Sequence, residues 1–459
     1  MFRLFILILS VLFFGNSALC DDSIVPHLSL PGSARWVLVA VELKTGKELV
    51  RAGNVVAEPL TPGSLVKLFT TGAVLDYTNS GTLDMRTLIL CDGAIQDGLL
   101  ERNIYLVGRG NALLTADDLN KAARQLARMG IGRIAGDIVA DDSFFDTKGL
   151  ERSRAGAGHT PVGALGLDLH TVAIIVSPTG PGKPPQVTVE PHNDAVRLAV
   201  EARTTETSVT SVKAAQLDDR SYRVSGNIPA DSTPMKWRFA LQEPALYAGG
   251  ALKAALQQVG FKVEGNIIKG KTPGDAKLLA VIEGPDLGKL IREMNVSSLN
   301  VVADNLLLSL GAERYGAPGT REKGLKVVNE FLVSLDLPQG ETVIADGSGL
   351  NGQSRLTAGY MAHYLRNVSH RSWFPFFRDS LPRAGLDGTL RDIGYRNERF
   401  RAKSGRLENA FALAGYGVDR QGREIAFAYI VNVPMGGAGM NLERSGAEVM
   451  KYLGTEVLQ

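Results

Sequence analysis

Cysteine is nearly missing from this chain of 459 residues: Cys20 and Cys91 are the two that occur. If Cys20 leaves with an N-terminal leader, Cys91 has no partner, and a disulfide framework is excluded. Cys91 follows the apolar run from Thr87 to Leu90 and reads as a half-buried strand residue rather than a catalytic thiol. An excess of one charge is also missing. Fifty Lys and Arg against 48 Asp and Glu leave a net charge of +2 without a basic run, which argues against nucleic acid or anionic lipid as partner. Histidine is sparse. His27, His159, His170, His192, His363 and His370 show no H-E-x-x-H or similar spacing, so neither a metal nor another cofactor is expected. The glycines between Met435 and Met440 lack a P-loop lysine and read as a mobile loop. Tandem repeats and low-complexity tracts are absent.

Long apolar runs are missing after the first twenty residues. Met1–Arg3 is a short basic segment, Leu4–Phe14 is almost purely apolar, and the small residues Ser17 and Ala18 precede Asp21-Asp22. This is the pattern of a secretory signal peptide, too short to span a bilayer comfortably. Cleavage is expected after Ala18 or Cys20. Lipidation of Cys20 is the rival, but Leu19 fits poorly the small residue expected before a lipidated cysteine. The mature chain is expected to be soluble and periplasmic, with no stable membrane anchor.

What remains has the composition of an ordinary globular protein, 44% apolar and 21% charged, and is long enough for two or three domains. Alternation predicts a hairpin over Arg35–Val50, turning at Lys44-Thr45-Gly46. A helix is expected from Pro62 to Tyr77, with Val66, Phe69, Ala73 and Val74 on one face. From about 84 to 284 the texture becomes strand-rich. Runs at Asn103–Val107, Ile134–Val139, Val187–Val189, Val196–Val200, Thr207–Val212 and Tyr222–Val224 alternate with helices at Ala116–Arg128 and Ala245–Val259. Helical periodicity then returns from Leu287 through Leu310, at Lys323–Leu335, Thr357–Asn367 and Asn441–Leu453. A second hairpin joins Ala410–Val418 to Glu424–Val433. The simplest arrangement is a signal peptide over 1–20, one α/β (α+β) domain built from 21–83 and 285–459, and an inserted region over 84–284.

Chemistry concentrates in three triplets. In Ser64-Leu65-Val66-Lys67, proline two residues earlier suits a first helical turn, and a lysine three positions on shares the serine's face. Such a pair supplies a nucleophile and, if the amine can become neutral, its base. Helix N-terminal amides favour the developing oxyanion. The plainer alternative is a capping serine with a solvated lysine. Ser298-Leu299-Asn300 opens a helical run and offers a proton relay and an amide. The other Ser-x-Asn, Ser225-Gly226-Asn227, reads as a turn. Lys403-Ser404-Gly405 precedes the second hairpin. There, edge backbone aligns a peptide by β-addition, Lys403 and Ser404 attract a carboxylate, Gly405 leaves room beside the strand, and the Arg406 amide donates to an oxyanion. Lys44-Thr45-Gly46 is explained by its turn.

Ser64-x-x-Lys67, Ser298-x-Asn300 and Lys403-Ser-Gly405, in that order, resemble the penicillin-recognising motif set. With Pro161–Leu165, Ala345–Leu350 and Leu381–Leu390, the mature chain is similar to the class C low-molecular-mass penicillin-binding proteins, D-alanyl-D-alanine carboxypeptidases/endopeptidases. The resemblance implies a penicillin-recognising transpeptidase-like serine hydrolase fold whose insertion holds two nested domains. It also implies peptidoglycan stem peptides as substrate, covalent capture of β-lactam antibiotics, and a carboxylate of the insertion, Asp142, reading a diaminopimelate. Leu299 replaces the commoner Asp and Ser404 the commoner Thr. Self-association is left open. The rivals are a β-lactamase, disfavoured by length and the lack of Glu-x-x-Leu-Asn, and a non-catalytic peptidoglycan-binding scaffold.

Overall fold

A computed structural model describes residues 22–455, apart from 149, 151–159, 194–195, 338–339, 341, 420 and 435–441. Residues 1–21 with Cys20, His159 and the glycines of 435–440 lie outside the described residues. The two chain ends together build a six-stranded antiparallel sheet. Its strands are β1 (Arg35–Glu42), β2 (Glu48–Gly53), β3 (Arg383–Ala384), β4 (Asn397–Leu407), β5 (Ala410–Val418) and β6 (Glu424–Asn432), in the order β2-β1-β6-β5-β4-β3. The predicted hairpins are β1–β2 and β5–β6. Lys44-Thr45-Gly46 is the tip of the first, with Gly46 at φ 73°.

Helices cover both faces: α1 (Val66–Thr78), α2 (Leu287–Ser297), α3 (Asn300–Tyr315), α4 (Arg321–Val333), α5 (Ala358–Val368), α6 (Phe374–Asp379) and α7 (Leu442–Thr455). Alternate strand residues therefore feed different cores. Val37, Val39 and Val41 pack with α1 to α6, while Leu38 and Ala40 pack with α7. α1 runs through the first core and is buried at every position from Val66 to Leu75. The single apolar face expected from periodicity is thus too narrow, because a helix surrounded by protein needs no polar side.

Between α1 and α2 the chain forms separate sheets. Thr87–Cys91, Ile104–Val107, Ile138–Asp141, Ile267–Lys269 and Lys277–Ile282 make a five-stranded sheet. Gln186–Glu190, Thr171–Ser177 and Met235–Ala240 make a three-stranded one. Their apolar side chains, with helices Ala116–Arg128 and Pro244–Gln258, join one continuous core. The run expected at Ile134–Val139 is two strands, Arg133–Ile134 and Ile138–Asp141. They part at Gly136, where a Cβ would lie 2.4 Å from the Arg102 backbone. Thr207–Val212 is not a strand: the amides of Ser211 and Val212 both donate to Asn227 O at 2.9 Å, a pattern no regular ladder permits. Cys91 is fully buried rather than half-buried, free, and its thiol is pushed up chiefly by burial.

Polar side chains tie the insertion to α3: Arg109 Nη2 pairs with Glu313 at 3.4 Å, and Asn305 makes a second link. Asn305 Nδ2 donates to Gly110 O and Gly163 O, both at 3.0 Å. Among the described residues no helix is long and apolar enough to cross a membrane, and no group of three metal-ligating side chains forms. His170 is wholly buried and held down to about 4 by that burial, so it is a neutral structural histidine at neutral pH.

Close packing around α1 yields a test. A helical Gly→Ala change normally stabilises by about 1 kcal/mol. At Gly72 the new methyl would stand 2.2 Å from the Tyr364 hydroxyl and 2.7 Å from Phe331, and that hydroxyl donates to Leu68 O at 2.8 Å. Overpacking costs about 1–3 kcal/mol, so Gly72→Ala is expected to lower the thermal midpoint, with Tyr364→Phe restoring part of the loss. Calorimetry of the single and double variants checks this.

Candidate active site

Ser64 sits in a 3₁₀ turn, Gly63–Leu65, which runs directly into α1 and puts Lys67 in the first α-helical turn. Lys67 is completely buried. Its amine donates to Ser64 Oγ at 2.9 Å, Asn300 Oδ1 at 2.7 Å and Ser348 O at 2.9 Å.

Asn300 reaches this position through a break in the helical run. α2 ends at Ser298 in the left-handed conformation, φ 57° and ψ 41°, and α3 starts at Asn300. A non-glycine residue pays about 1–2 kcal/mol for that conformation, which the surrounding structure must enforce. The turn aims the Ser298 hydroxyl at Lys403, whose Nζ donates to it at 2.9 Å and to Ser404 O at 2.6 Å. Lys403 is also completely buried. Burial, and then the charge of Lys67, hold it well below the ordinary lysine range.

The third motif lies on β4, paired to β5 through Lys403↔Ala414, Ser404↔Leu413 and Gly405↔Ala412. On its other side β3 reaches only as far as Arg401, which leaves the strand around Ser404 as an edge. Gly405 is there because nothing larger fits: a Cβ would lie 2.2 Å from Pro62 O and 3.0 Å from Ser64 N. Gly63, at φ 51°, makes the reciprocal approach, its Cβ position lying 3.1 Å from Arg406 N. The Ser64 turn and the Arg406 amide therefore face each other across two glycines, the geometry of a two-amide oxyanion site.

Two contributors were not legible in the motifs. The Ser348 carbonyl is presented by the turn of Ala345–Leu350. There the Asp346 carboxylate accepts the amides of Ser348 and Asn351 at 3.2 and 3.1 Å, and that of Gly349. It is thus a turn-forming carboxylate beside the cleft. Thr389 is the other: Ser404 Oγ donates to its Oγ1 at 2.8 Å. Gly388 before it, at φ 46°, has Val296 O of α2 only 2.0 Å from its Cβ position, so this turn spans the ends of α2 and β4. The Leu381–Leu390 stretch pointed to the region, but no spacing links Thr389 to Ser404. Asp142 is bound elsewhere. Its carboxylate pairs with Lys269 at 3.1 Å, on the edge strand of the insertion's own sheet.

A central α1 under an antiparallel sheet, with hydroxyl–amine pairs where three motifs meet, defines a penicillin-recognising serine hydrolase fold. The chain belongs to the D-Ala-D-Ala carboxypeptidase 3 (S13) family, whose profile matches residues 22–451. It is 30% identical over 446 residues to a D-alanyl-D-alanine carboxypeptidase of Actinomadura sp. (strain R39), covering 92% of this chain and 82% of that one. It is 26% identical to the D-alanyl-D-alanine carboxypeptidase DacB of Haemophilus influenzae over 75% of each. The crystal structure of penicillin binding protein 4 (dacB) from Haemophilus influenzae superimposes with a TM-score of 0.78 at 22% identity. It covers 94% of this chain and 98% of that one, a likeness that establishes the fold.

The buried lysine pair has a consequence for stability. A lysine whose folded pKa is depressed binds fewer protons folded than unfolded, so its penalty is full at low pH and fades as pH rises toward 10.5. Lys403→Met is expected to raise the thermal midpoint while removing activity, and its advantage over the parent should shrink as pH climbs. Melting curves from pH 6 to about 10 check both the sign and the trend.

Proposed function

We propose that this D-Ala-D-Ala carboxypeptidase works through Ser64, with Lys67 as its base and Lys403 and Ser298 as its proton relay. The carrying observation is the pair of fully buried amines, each 2.9 Å from a serine hydroxyl. Neutral Lys67 takes the Ser64 proton and Oγ attacks the carbonyl of a D-Ala-D-Xaa bond. Charge on the carbonyl oxygen is met by the amides of Ser64 and Arg406. The C–N bond breaks as Ser298 gives its proton to the leaving amine; Lys403 refills Ser298, and the proton that Lys67 took from Ser64 replaces the one Lys403 gave, which leaves Lys67 neutral again. Water then opens the acyl-enzyme, with Lys67 as general base, and Ser64 regains its hydrogen.

The terminal carboxylate is read by Ser404 and Thr389, under the positive potential of Lys403, while the exposed edge of β4 aligns the peptide backbone. Asp142 would exchange Lys269 for an amine of the stem peptide. Peptidoglycan peptides are then the substrate, penicillin acylates the same serine, and the leader pattern of 1–20 exports the chain to the periplasm.

Ser64→Ala is expected to abolish labelling by a fluorescent penicillin and release of D-Ala from a pentapeptide, with the melting temperature retained. Labelling that survives would refute Ser64 as nucleophile. A scaffold protein would leave muropeptide digests unchanged by mass spectrometry, and a β-lactamase would turn over nitrocefin rapidly. Thr389→Val should raise KM about tenfold for a substrate with a free terminal carboxylate, the loss of one hydrogen bond to a charged group. It should barely affect the carboxamide analogue, and Thr389→Ser should restore binding. Steady-state kinetics on both substrates separate these outcomes.

A further inference from the structure

Among the described residues four charged side chains, two of each sign, are wholly excluded from solvent: Lys67, Lys403, Asp304 and Asp346. The two amines have their roles above. Asp346 is accounted for by the three amides of its own turn. Asp304 is accounted for by none of the three motifs. It lies on α3 four residues after Asn300, one turn along the same helix face, and Asn300 Oδ1 accepts from Lys67 at 2.7 Å.

The Asp304 carboxylate acts on the turn that faces Lys67. Its Oδ1 accepts the Gly347 amide at 2.9 Å. From the other side Thr70 of α1, three residues after Lys67, donates to Gly347 O at 2.8 Å. The Gly347 residue is thus clamped between α3 and α1, and packing leaves it no slack: a Cβ there would lie 2.6 Å from Ala303 O. The next carbonyl, Ser348 O, is the one that accepts from Lys67 at 2.9 Å. A neutral acceptor would satisfy the Gly347 amide as well. A carboxylate costs far more to bury than an amide oxygen, so a charge kept here points to an opposite charge that it serves. Lys67 is linked to Asp304 by two short routes, one through Asn300 and α3, the other through Ser348 and Gly347.

We infer that Asp304 is a positioning residue for the general base: it holds the Ser348 carbonyl on Lys67 and supplies the negative charge that stabilises the Lys67 ammonium as it forms. This rests on the reading of Ser64 as nucleophile and Lys67 as base. When the Ser64 O–H bond breaks, the proton passes to Lys67 Nζ and the oxygen bonds the carbonyl carbon. A positive charge then appears in a buried place, beside a second amine that it pushes down. A carboxylate already fixed behind the first amine offsets that charge without reorganisation. The other charged or titratable groups facing this end of α1 are Asp346 on the turn and Lys403 on β4. Arg406 of β4 is exposed and paired with Glu443. Tyr360 and Tyr364 of α5 pack on Phe69, and burial pushes the Tyr364 hydroxyl up. The charged side chains of α2, α4 and α6 are all at least partly in solvent.

The test follows the rate of penicillin acylation from about pH 5 to about 10 in the full-length parent, Asp304→Asn and Asp304→Glu. Protonated Lys67 is idle, so the acid limb of the profile reports its titration. Asparagine keeps an acceptor for the Gly347 amide and removes the charge. An ammonium without its counter-charge gives up its proton more readily, so the acid limb should move to lower pH by about one unit. The weaker base should also lower the plateau rate about threefold or more. Asp304→Glu keeps the charge and should hold the limb at the parent pH. A merely structural carboxylate would lower the rate and leave the limb in place, and that result overturns the inference. So does a limb that Asp304→Glu moves as far as Asp304→Asn does. If melting shows that the asparagine variant does not fold, the glutamate variant decides alone: a limb at the parent pH supports the role and a displaced one overturns it. A parent that penicillin does not acylate removes the Ser64 and Lys67 reading, and the role of Asp304 with it. An acylated parent whose limb ignores Asp304→Asn removes only the latter.

Discussion

Two ammonium-bearing side chains buried side by side constrain everything around them. Lys67 and Lys403 are both excluded from solvent, and an isolated buried charge is costly unless it is hydrogen-bonded or neutralised. The fold meets that demand with oxygens from distant stretches of chain: Ser64, Asn300 and Ser348 around one amine, Ser298 and Ser404 around the other. Mutual repulsion also favours loss of one proton, and a neutral amine next to a hydroxyl is the base that serine chemistry requires. A site that weakens the folded state is thereby the one that activates it, a trade met commonly in enzymes.

The surrounding architecture holds those oxygens in register. α1 lies within the first core, so the Ser64 turn cannot shift without disturbing packing on every side. β4 is anchored through β5 but stays open beyond Arg401, which combines a fixed Lys403 with an edge that a peptide can approach. Gly63 and Gly405 let the two segments meet at a distance that side chains would forbid. Asn305 and Arg109 fasten the insertion to this frame at α3.

Local signals in the sequence carried a large part of the fold. The helix Ala116–Arg128 was legible to the residue, because Thr115 and Asp118 form a capping box and Met129-Gly130 ends it. The hairpin Ala410–Val418 with Glu424–Asn432 was legible because alternation and turn residues are properties of neighbouring positions. The strands around Gly136 and Ser211 were misjudged because their limits are set by Arg102 and Asn227, far along the chain. The helix start at Ser298-Leu299-Asn300 was legible too, but the left-handed turn that sets it off was not. Apolar periodicity continues from Leu287 to Leu310, and only the tertiary contacts force one serine out of the helical conformation.

By itself, the sequence determined which side chains were available and in what order: Ser64 with Lys67, Ser298 with Asn300, and Lys403 with Ser404 and Gly405. Their spacing follows from the period of a single helix turn or strand, so it can be read along the chain. Only the tertiary structure decided that the two lysines are buried together, that Ser348 and Thr389 complete the arrangement, and that Asp142 pairs with Lys269. Those facts depend on desolvation and on contacts between residues hundreds of positions apart, and neither quantity is encoded in any local pattern.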